Sequence, residues 1–96
     1  MPLFAVHALD HPDHLPRRLQ HYAEHRSFVE TANALGVNVV MSGPLQSDDG
    51  GVMIGSLFLI EAENSAQVRQ FIEADPFSVN KVWDQVSVTR FHRRRG

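Results

Sequence analysis

The sequence contains no cysteine, and this absence excludes disulfide bonds and thiolate chemistry. It also has no apolar run that approaches the length of a membrane-spanning helix. Its first four residues lack the basic region and the apolar stretch that together mark a signal peptide. These absences predict a cytoplasmic protein without a membrane partner.

Positive charge is also scarce, because 9 Lys and Arg residues stand against 11 Asp and Glu residues. Domains that bind nucleic acid are normally basic, so we expect no nucleic-acid partner. The run from Arg93 to Arg95 is too short to change this expectation and is interpreted as a solvated end. With 96 residues, 43% of them hydrophobic, the chain is predicted to form one globular domain over residues 1–96.

Apolar runs rich in β-forming residues predict four strands, over residues 3–9, 37–42, 52–61 and 82–91. Gly43 and Pro44 are expected to end the second strand, and Gly55 to mark a bulge or a close backbone approach in the third. Apolar residues spaced three and four apart predict two helices, over residues 14–35 and 64–75. The order βαββαβ predicts an α+β, ferredoxin-like fold, with a four-stranded antiparallel sheet and both helices on one face.

The first predicted helix carries two polar residues on its apolar face. The apolar stripe comprises Leu15, Leu19, Tyr22, Val29 and Ala32. At about 100° per residue, Arg18 and His25 fall within the same stripe, roughly one above the other. A helix that packs this stripe on a sheet carries both groups inward.

The second predicted helix places Asp75 on its buried side, at the i+7 position from Val68. Pro76 disfavours helical geometry at Asp75, so the helix is expected to end there. A carboxylate and an imidazole on the buried faces of neighbouring helices each need a partner, and we predict that Asp75 pairs with His25. The pair is either a general base oriented by a carboxylate or a hydrogen bond that ties the two helices together.

The predicted strands carry apolar residues on both of their faces. In the first strand, for example, Val6 and Ala8 lie on one face and Ala5 and Leu9 on the other. The helices cover only one face of the predicted sheet, and an uncovered apolar face is an association site. We therefore predict a symmetric homodimer in which the two sheets pack against each other.

Together these features resemble the YciI-like, or YCII-related, family of the dimeric α/β-barrel superfamily. The resemblance covers nearly the whole chain and rests on four pieces: Arg18–Leu19 with His25 following, Ser42–Gly43–Pro44, Gly55–Ser56, and Asp75–Pro76–Phe77. It implies a ferredoxin-like fold and an active site built on a His–Asp pair, which here corresponds to His25 and Asp75. One branch of the family is similar to a dehydrochlorinase that removes chloride from a chlorinated hydroxyhydroquinone.

Six further residues are candidate contacts for a small-molecule substrate: Arg18, Ser42, Gly43, Pro44, Ser56 and Phe77. Arg18 either anchors an anionic or phenolate substrate near His25 or lies partly buried beside a carboxylate. The hydroxyl groups of Ser42 and Ser56 either donate to a substrate oxygen or bond to the backbone. Phe77, like Trp83, either lines a pocket or packs in the core.

Several histidines have spacings that metal sites also use, namely His7, His11 and His14, and the i, i+4 pair His21 and His25. No glutamate follows His21 directly, so the zinc-protease signature is absent. His21 also lies at the flank of the apolar stripe. We expect no metal ion, and the sequence has no nucleotide-binding motif that would indicate another cofactor.

These observations predict an enzyme that performs cofactor-independent acid–base chemistry on a small cyclic or aromatic compound. The reaction is predicted to be an elimination such as dehydrochlorination, or an isomerisation. Two alternatives stay open at this point, a non-catalytic small-molecule-binding domain and a structural dimerisation module. An open, polar pocket around His25 favours enzyme or binder, whereas a closed and filled core favours the structural module.

Overall fold

The computed structural model describes all 96 residues, Met1–Gly96. The strands are β1 (Leu3–Asp10), β2 (Asn38–Gln46), β3 (Met53–Glu61) and β4 (Trp83–Phe91). The helices are α1 (Leu15–Gln20), α2 (Tyr22–Val29), α3 (Ser65–Ala74) and α4 (Pro76–Val79), and a 3-10 turn covers Ala32–Leu35. None of the helices is both long enough and apolar enough to cross a membrane.

The four strands form one antiparallel sheet in the order β2-β3-β1-β4. The first strand therefore lies inside the sheet, between β3 and the last strand of the chain. Strand residues such as Val6 and Phe58 are buried against helix residues such as Val68 and Phe71. This arrangement confirms the predicted α+β, ferredoxin-like fold.

The prediction of a single helix over residues 14–35 is wrong. The chain forms α1 and α2, which separate at His21, where φ −104° and ψ 8° leave the α-helical region. Leu19 and Tyr22 are 55% and 43% exposed, whereas Arg18 is buried. Within the predicted stripe, Arg18 and His25 do face inward, as do Val29 and Ala32. Leu19 and Tyr22 are the members that point outward.

Strand β2 continues through the point where it was predicted to end. Gly43 and Pro44 lie within β2 and pair with Leu57 and Ser56 of β3. Because β2 has a neighbour on one side only, the backbone N–H that proline lacks is not required for a second ladder. The predicted strand end at Gly43–Pro44 is wrong for this reason.

Local sequence signals determine both ends of α3. The side chain of Asn64 accepts a hydrogen bond from the backbone N–H of Gln67 at 2.9 Å, as expected for an N-cap. At the other end, Asp75 has φ −62° and ψ 136°, the extended conformation that a following proline favours. Asp75 thereby ends α3 and begins α4, which places its carboxylate between the two helices.

Gly55 is a point of close backbone approach, as predicted. A Cβ atom at Gly55 would collide with the carbonyl oxygen of Ala8 and would lie 3.1 Å from Cδ1 of Leu45. We expect Gly55→Ala to lower the free energy of unfolding by about 2 kcal/mol, because β1 and β3 must move apart to accept the methyl group.

Gly43→Ala is the matched control, since a Cβ atom at this strand glycine meets nothing within 4 Å. Urea unfolding of the two variants measures the difference. Equal losses of stability in both variants would show that the close approach at Gly55 has no energetic consequence.

Candidate functional site

The predicted pair of His25 and Asp75 is present between α2 and the start of α4. Nδ1 of His25 lies 2.9 Å and 2.8 Å from the two carboxylate oxygens. The same carboxylate, which is fully buried, also accepts the backbone N–H of Phe77 at 2.8 Å. Because an ionised carboxylate only accepts hydrogen bonds, Nδ1 is the donor, and in a neutral ring the lone pair then lies on Nε2.

The imidazole of His25 is held in one orientation by aromatic rings. It stacks on Phe77 with a centroid distance of 4.1 Å and an interplanar angle of 8°. Phe58 and Trp83 meet it edge-on at 6.1 Å and 6.2 Å. Nε2 has no partner in the chain but is not buried, since the only buried side-chain atom without a partner is Nε of Arg18. With 13% of its side chain exposed, His25 thus presents Nε2 to solvent.

Arg18 is buried next to this pair despite its charge, with 3% of its surface exposed. Its Nη1 donates to both carboxylate oxygens of Asp10 at 3.0 Å and 3.1 Å. Its Nη2 donates to Oγ of Ser56 at 2.8 Å. The guanidinium carbon also lies 4.7 Å from the centre of the Phe77 ring, so Arg18 and His25 contact the same aromatic side chain.

Asp10 and Trp83 belong to this cluster, and sequence reasoning did not assign them these contacts. Burial raises the pKa of Asp10 above its ordinary value, although the Arg18 guanidinium acts in the opposite direction. The indole N–H of Trp83 donates to Oγ of Ser56 at 3.2 Å, so the serine hydroxyl accepts from two side chains. The available signal for Asp10 was the inward placement of Arg18, because a buried guanidinium needs a carboxylate partner.

The remaining predicted contact residues lie outside this cluster, on the exposed strand β2. Ser42 and Pro44 pair with Phe58 and Ser56, so they share the helix-side face of the sheet, one strand further out. Gly43 pairs with Leu57 and belongs to the opposite face. The structure therefore brings together five of the eight predicted site residues: Arg18, His25, Ser56, Asp75 and Phe77. Of these, Phe77 is fully buried and supports Arg18 and His25 from within the core.

Three aromatic rings contact His25, and an open cleft lies next to Asp10. A cleft of about 680 Å³ is bounded by the loop between β1 and α1 and by the start of β3. Its lining includes Asp10, His11, His14, Leu15, Val52 and Ile54. Arg18 connects the cleft to the pair, because it contacts Asp10 on one side and Phe77 on the other.

Fold and site together define a small α+β domain with a buried carboxylate–imidazole pair and a neighbouring buried arginine. The family model of the YCII-related domain matches residues 2–92, and the chain belongs to this family. The match confirms the resemblance drawn from the sequence.

A solved structure with high similarity is 5-chloro-2-hydroxyhydroquinone dehydrochlorinase (TftG) from Burkholderia phenoliruptrix, in complex with 2,5-dihydroxybenzoquinone. It is 30% identical with a TM-score of 0.81, and the match covers 94% of this chain and 93% of that one. An uncharacterised NIPSNAP domain protein from Burkholderia xenovorans is 12% identical with a TM-score of 0.53, over 97% and 94% of the two chains.

A Mycobacterium tuberculosis protein is 16% identical with a TM-score of 0.51, over 100% of this chain and 98% of its own. At such identities, the NIPSNAP domain protein and the Mycobacterium protein show the shared fold alone. Among curated proteins, none matches this chain.

Proposed function

We propose that the protein is an enzyme that uses His25 and Asp75 for acid–base chemistry on a small cyclic or aromatic compound. The reaction is an elimination such as dehydrochlorination, or an isomerisation. The observation that carries the proposal is the geometry of the pair, in which Asp75 keeps the proton on Nδ1 and leaves Nε2 of His25 free. The similarity to a dehydrochlorinase over 94% of the chain supports this class of reaction.

In this mechanism Nε2 of His25 takes a proton from the substrate. The buried carboxylate of Asp75 stabilises the imidazolium that forms, and the stack on Phe77 keeps the ring in place. Such general base catalysis contributes roughly 10²–10⁴-fold to a rate. A dehydrochlorination removes one proton and one chloride, which leaves with the bonding electrons, so it requires no oxidant or reductant.

A structural role of the pair is the second candidate, and one observation favours it. Asp75 caps α4 through the N–H of Phe77, and His25 packs against three aromatic rings. In that case the domain is a non-catalytic binder or a dimerisation module. Measurements on variants of His25 and Asp75 separate this candidate from the enzyme.

The first test of the enzyme is chloride release from 5-chloro-2-hydroxyhydroquinone by the purified protein. A screen of other halogenated phenols, hydroxyquinols and lactones follows with the same assay or by absorbance. We expect turnover above the rate in buffer for at least one compound. Compounds that bind without turnover would favour the non-catalytic binder.

We also infer that the protein is a homodimer that buries the face of the sheet opposite the helices. On this face Met41, Leu57 and Phe91 are 59%, 41% and 44% exposed, and half-buried apolar residues surround them. The apolar residues of the face are Leu3, Ala5, Leu9, Met41, Leu45, Met53, Leu57, Leu59 and Phe91. A second copy of the same face would bury all of these residues at once. A symmetric dimer that pairs two identical surfaces is the most common form of oligomer.

Light scattering is expected to return twice the mass of the chain for the wild type at micromolar concentration. Leu57→Glu is expected to give monomers, because it places a charge in the centre of the apolar face. Val79→Glu is the matched control, since Val79 is 66% exposed on α4 in the other layer. A wild type with the mass of one chain would contradict the dimer.

A further inference from the structure

The face of the sheet opposite the helices carries one ionisable side chain close to its centre, His7. It lies on β1, between Leu57 of β3 and Ser87 of β4. The side chain of His7 is exposed. The one side-chain hydrogen bond at this residue goes to its backbone oxygen, which accepts from Ser87 at 3.5 Å. The imidazole itself is therefore free to respond to whatever covers this face.

The side chains around His7 on this face offer no charge that could compensate a protonated imidazole. They are apolar on β1 and β3 and uncharged on β4. These neighbours are Ala5 and Leu9 on β1, Gly55, Leu57 and Leu59 on β3, and Gln85, Ser87 and Thr89 on β4. A charge on His7 is thus stabilised by water alone.

The charged groups of the same strands lie at the ends of the sheet or on its other side. Glu61 shares the face of His7, but it ends β3, four residues beyond Leu57 and about 14 Å away along the strand. Its carboxylate accepts a hydrogen bond from Asn38 at 2.6 Å. The other charged groups are Asp10, which binds Arg18, Asp84, which lies 3.6 Å from the ring of His11, and Arg90, which pairs with Phe4 on the helix side.

Association of two sheets through this face removes His7 from water. A symmetric dimer uses the same patch on both copies, so two His7 side chains enter one interface. Burial disfavours the charged form of an imidazole, and a second like charge in the same interface disfavours it further. Histidine changes its charge between about pH 5 and pH 8, so proton binding opposes association within this range.

We propose that His7 makes the dimer sensitive to pH: the two sheets associate while both imidazoles are neutral, and they separate when the imidazoles are protonated. The proposal rests on the proposed homodimer and adds the regulation of its interface. Separated copies bind protons that the dimer excludes, so a fall in pH favours the separated copies and raises the Kd of the dimer.

Sedimentation equilibrium of the wild type at about pH 8 and about pH 5.5, at one ionic strength, tests the proposal. We expect a Kd at least about tenfold higher at the lower pH, because each copy must release a proton to associate. Circular dichroism at both pH values establishes that the chain stays folded. An unchanged Kd would overturn the proposal. A lower Kd at the lower pH would also overturn it, and would place a carboxylate of the second copy beside His7.

Variants at position 7 assign the effect to this side chain. His7→Leu keeps the face apolar and is expected to dimerise with a Kd that differs by less than about threefold between the two pH values. His7→Lys carries a charge at both pH values and is expected to be monomeric at micromolar concentration. Both are expected to fold, since His7 is exposed. Wild-type pH dependence in His7→Leu would assign the effect to other groups and exclude His7.

The control His21→Ala removes a histidine from the helical layer, between α1 and α2. It is expected to keep the full pH dependence of the wild type. A dimer at both pH values with one Kd would leave the proposed homodimer intact and remove the role of His7. A monomer at about pH 8 would contradict the homodimer itself, so the two failures are distinguishable.

Discussion

The variant His25→Asn is expected to lose at least about a hundredfold in kcat/KM while it stays folded. The asparagine amide donates a hydrogen bond to Asp75 in place of Nδ1, so the buried carboxylate keeps a partner. The amide has no basic lone pair that corresponds to Nε2, which the structure leaves free of any partner in the chain. The variant therefore removes the proposed base and preserves the contact that stabilises the fold.

The measurement is the rate of chloride release with the compound that the wild type converts fastest. His21→Ala is the matched control, since His21 belongs to the same segment and the one hydrogen bond of its ring is with Glu24, at 3.4 Å. This control is expected to stay within about twofold of the wild type. Circular dichroism and urea unfolding establish that both variants are folded. Undiminished turnover in His25→Asn would rule out His25 as the base.

The second large effect is expected at Asp75, where alanine and asparagine should behave differently. Asp75→Ala removes the acceptor of His25 Nδ1 and of the Phe77 N–H, in a position with no exposed surface. We expect a loss of about 3 kcal/mol in the free energy of unfolding, because both donors are left without a partner and α4 loses its cap. Asp75→Asn keeps an oxygen for the Phe77 N–H and should lose about 1 kcal/mol.

Turnover is expected to follow a different order from stability in these two variants. Asparagine cannot stabilise the imidazolium of His25 by charge, so Asp75→Asn should lower kcat/KM by at least about tenfold despite its smaller loss of stability. Urea unfolding and the chloride assay on the same preparations give the comparison. If activity falls only in proportion to the folded fraction, the pair is a structural tie between the helices.

The features that sequence could predict are those set by local chemistry. Asn64 and Gln67 cap α3 as a pair, and Pro76 forces Asp75 out of the helix. Alternation along β1 separates Val6 and Ala8 from Ala5 and Leu9, and in the structure Val6 and Ala8 are the fully buried set. From these pieces the fold and the His25–Asp75 contact follow, because each residue's own neighbours determine which way its side chain points.

The features that sequence missed depend on neighbours distant along the chain. No glycine or proline marks the break at His21, and the exposure of Leu19 and Tyr22 follows from where Arg18 and His25 find partners. Pro44 fits inside a strand only because β2 lies at the edge of the sheet. Asp10, which ends β1, belongs to the site only because the inward-facing Arg18 donates a hydrogen bond to its carboxylate.

The strand order also sets a kinetic constraint on folding. β1 lies between β3 and β4, and the pairing of Leu3 with Phe91 joins residues near the two ends of the chain. Closing so long a loop is slow, because its entropy is lost before the contacts form. During synthesis on a ribosome, one backbone edge of β1 therefore stays unpaired until β4 has been made. Aggregation competes with folding during this interval.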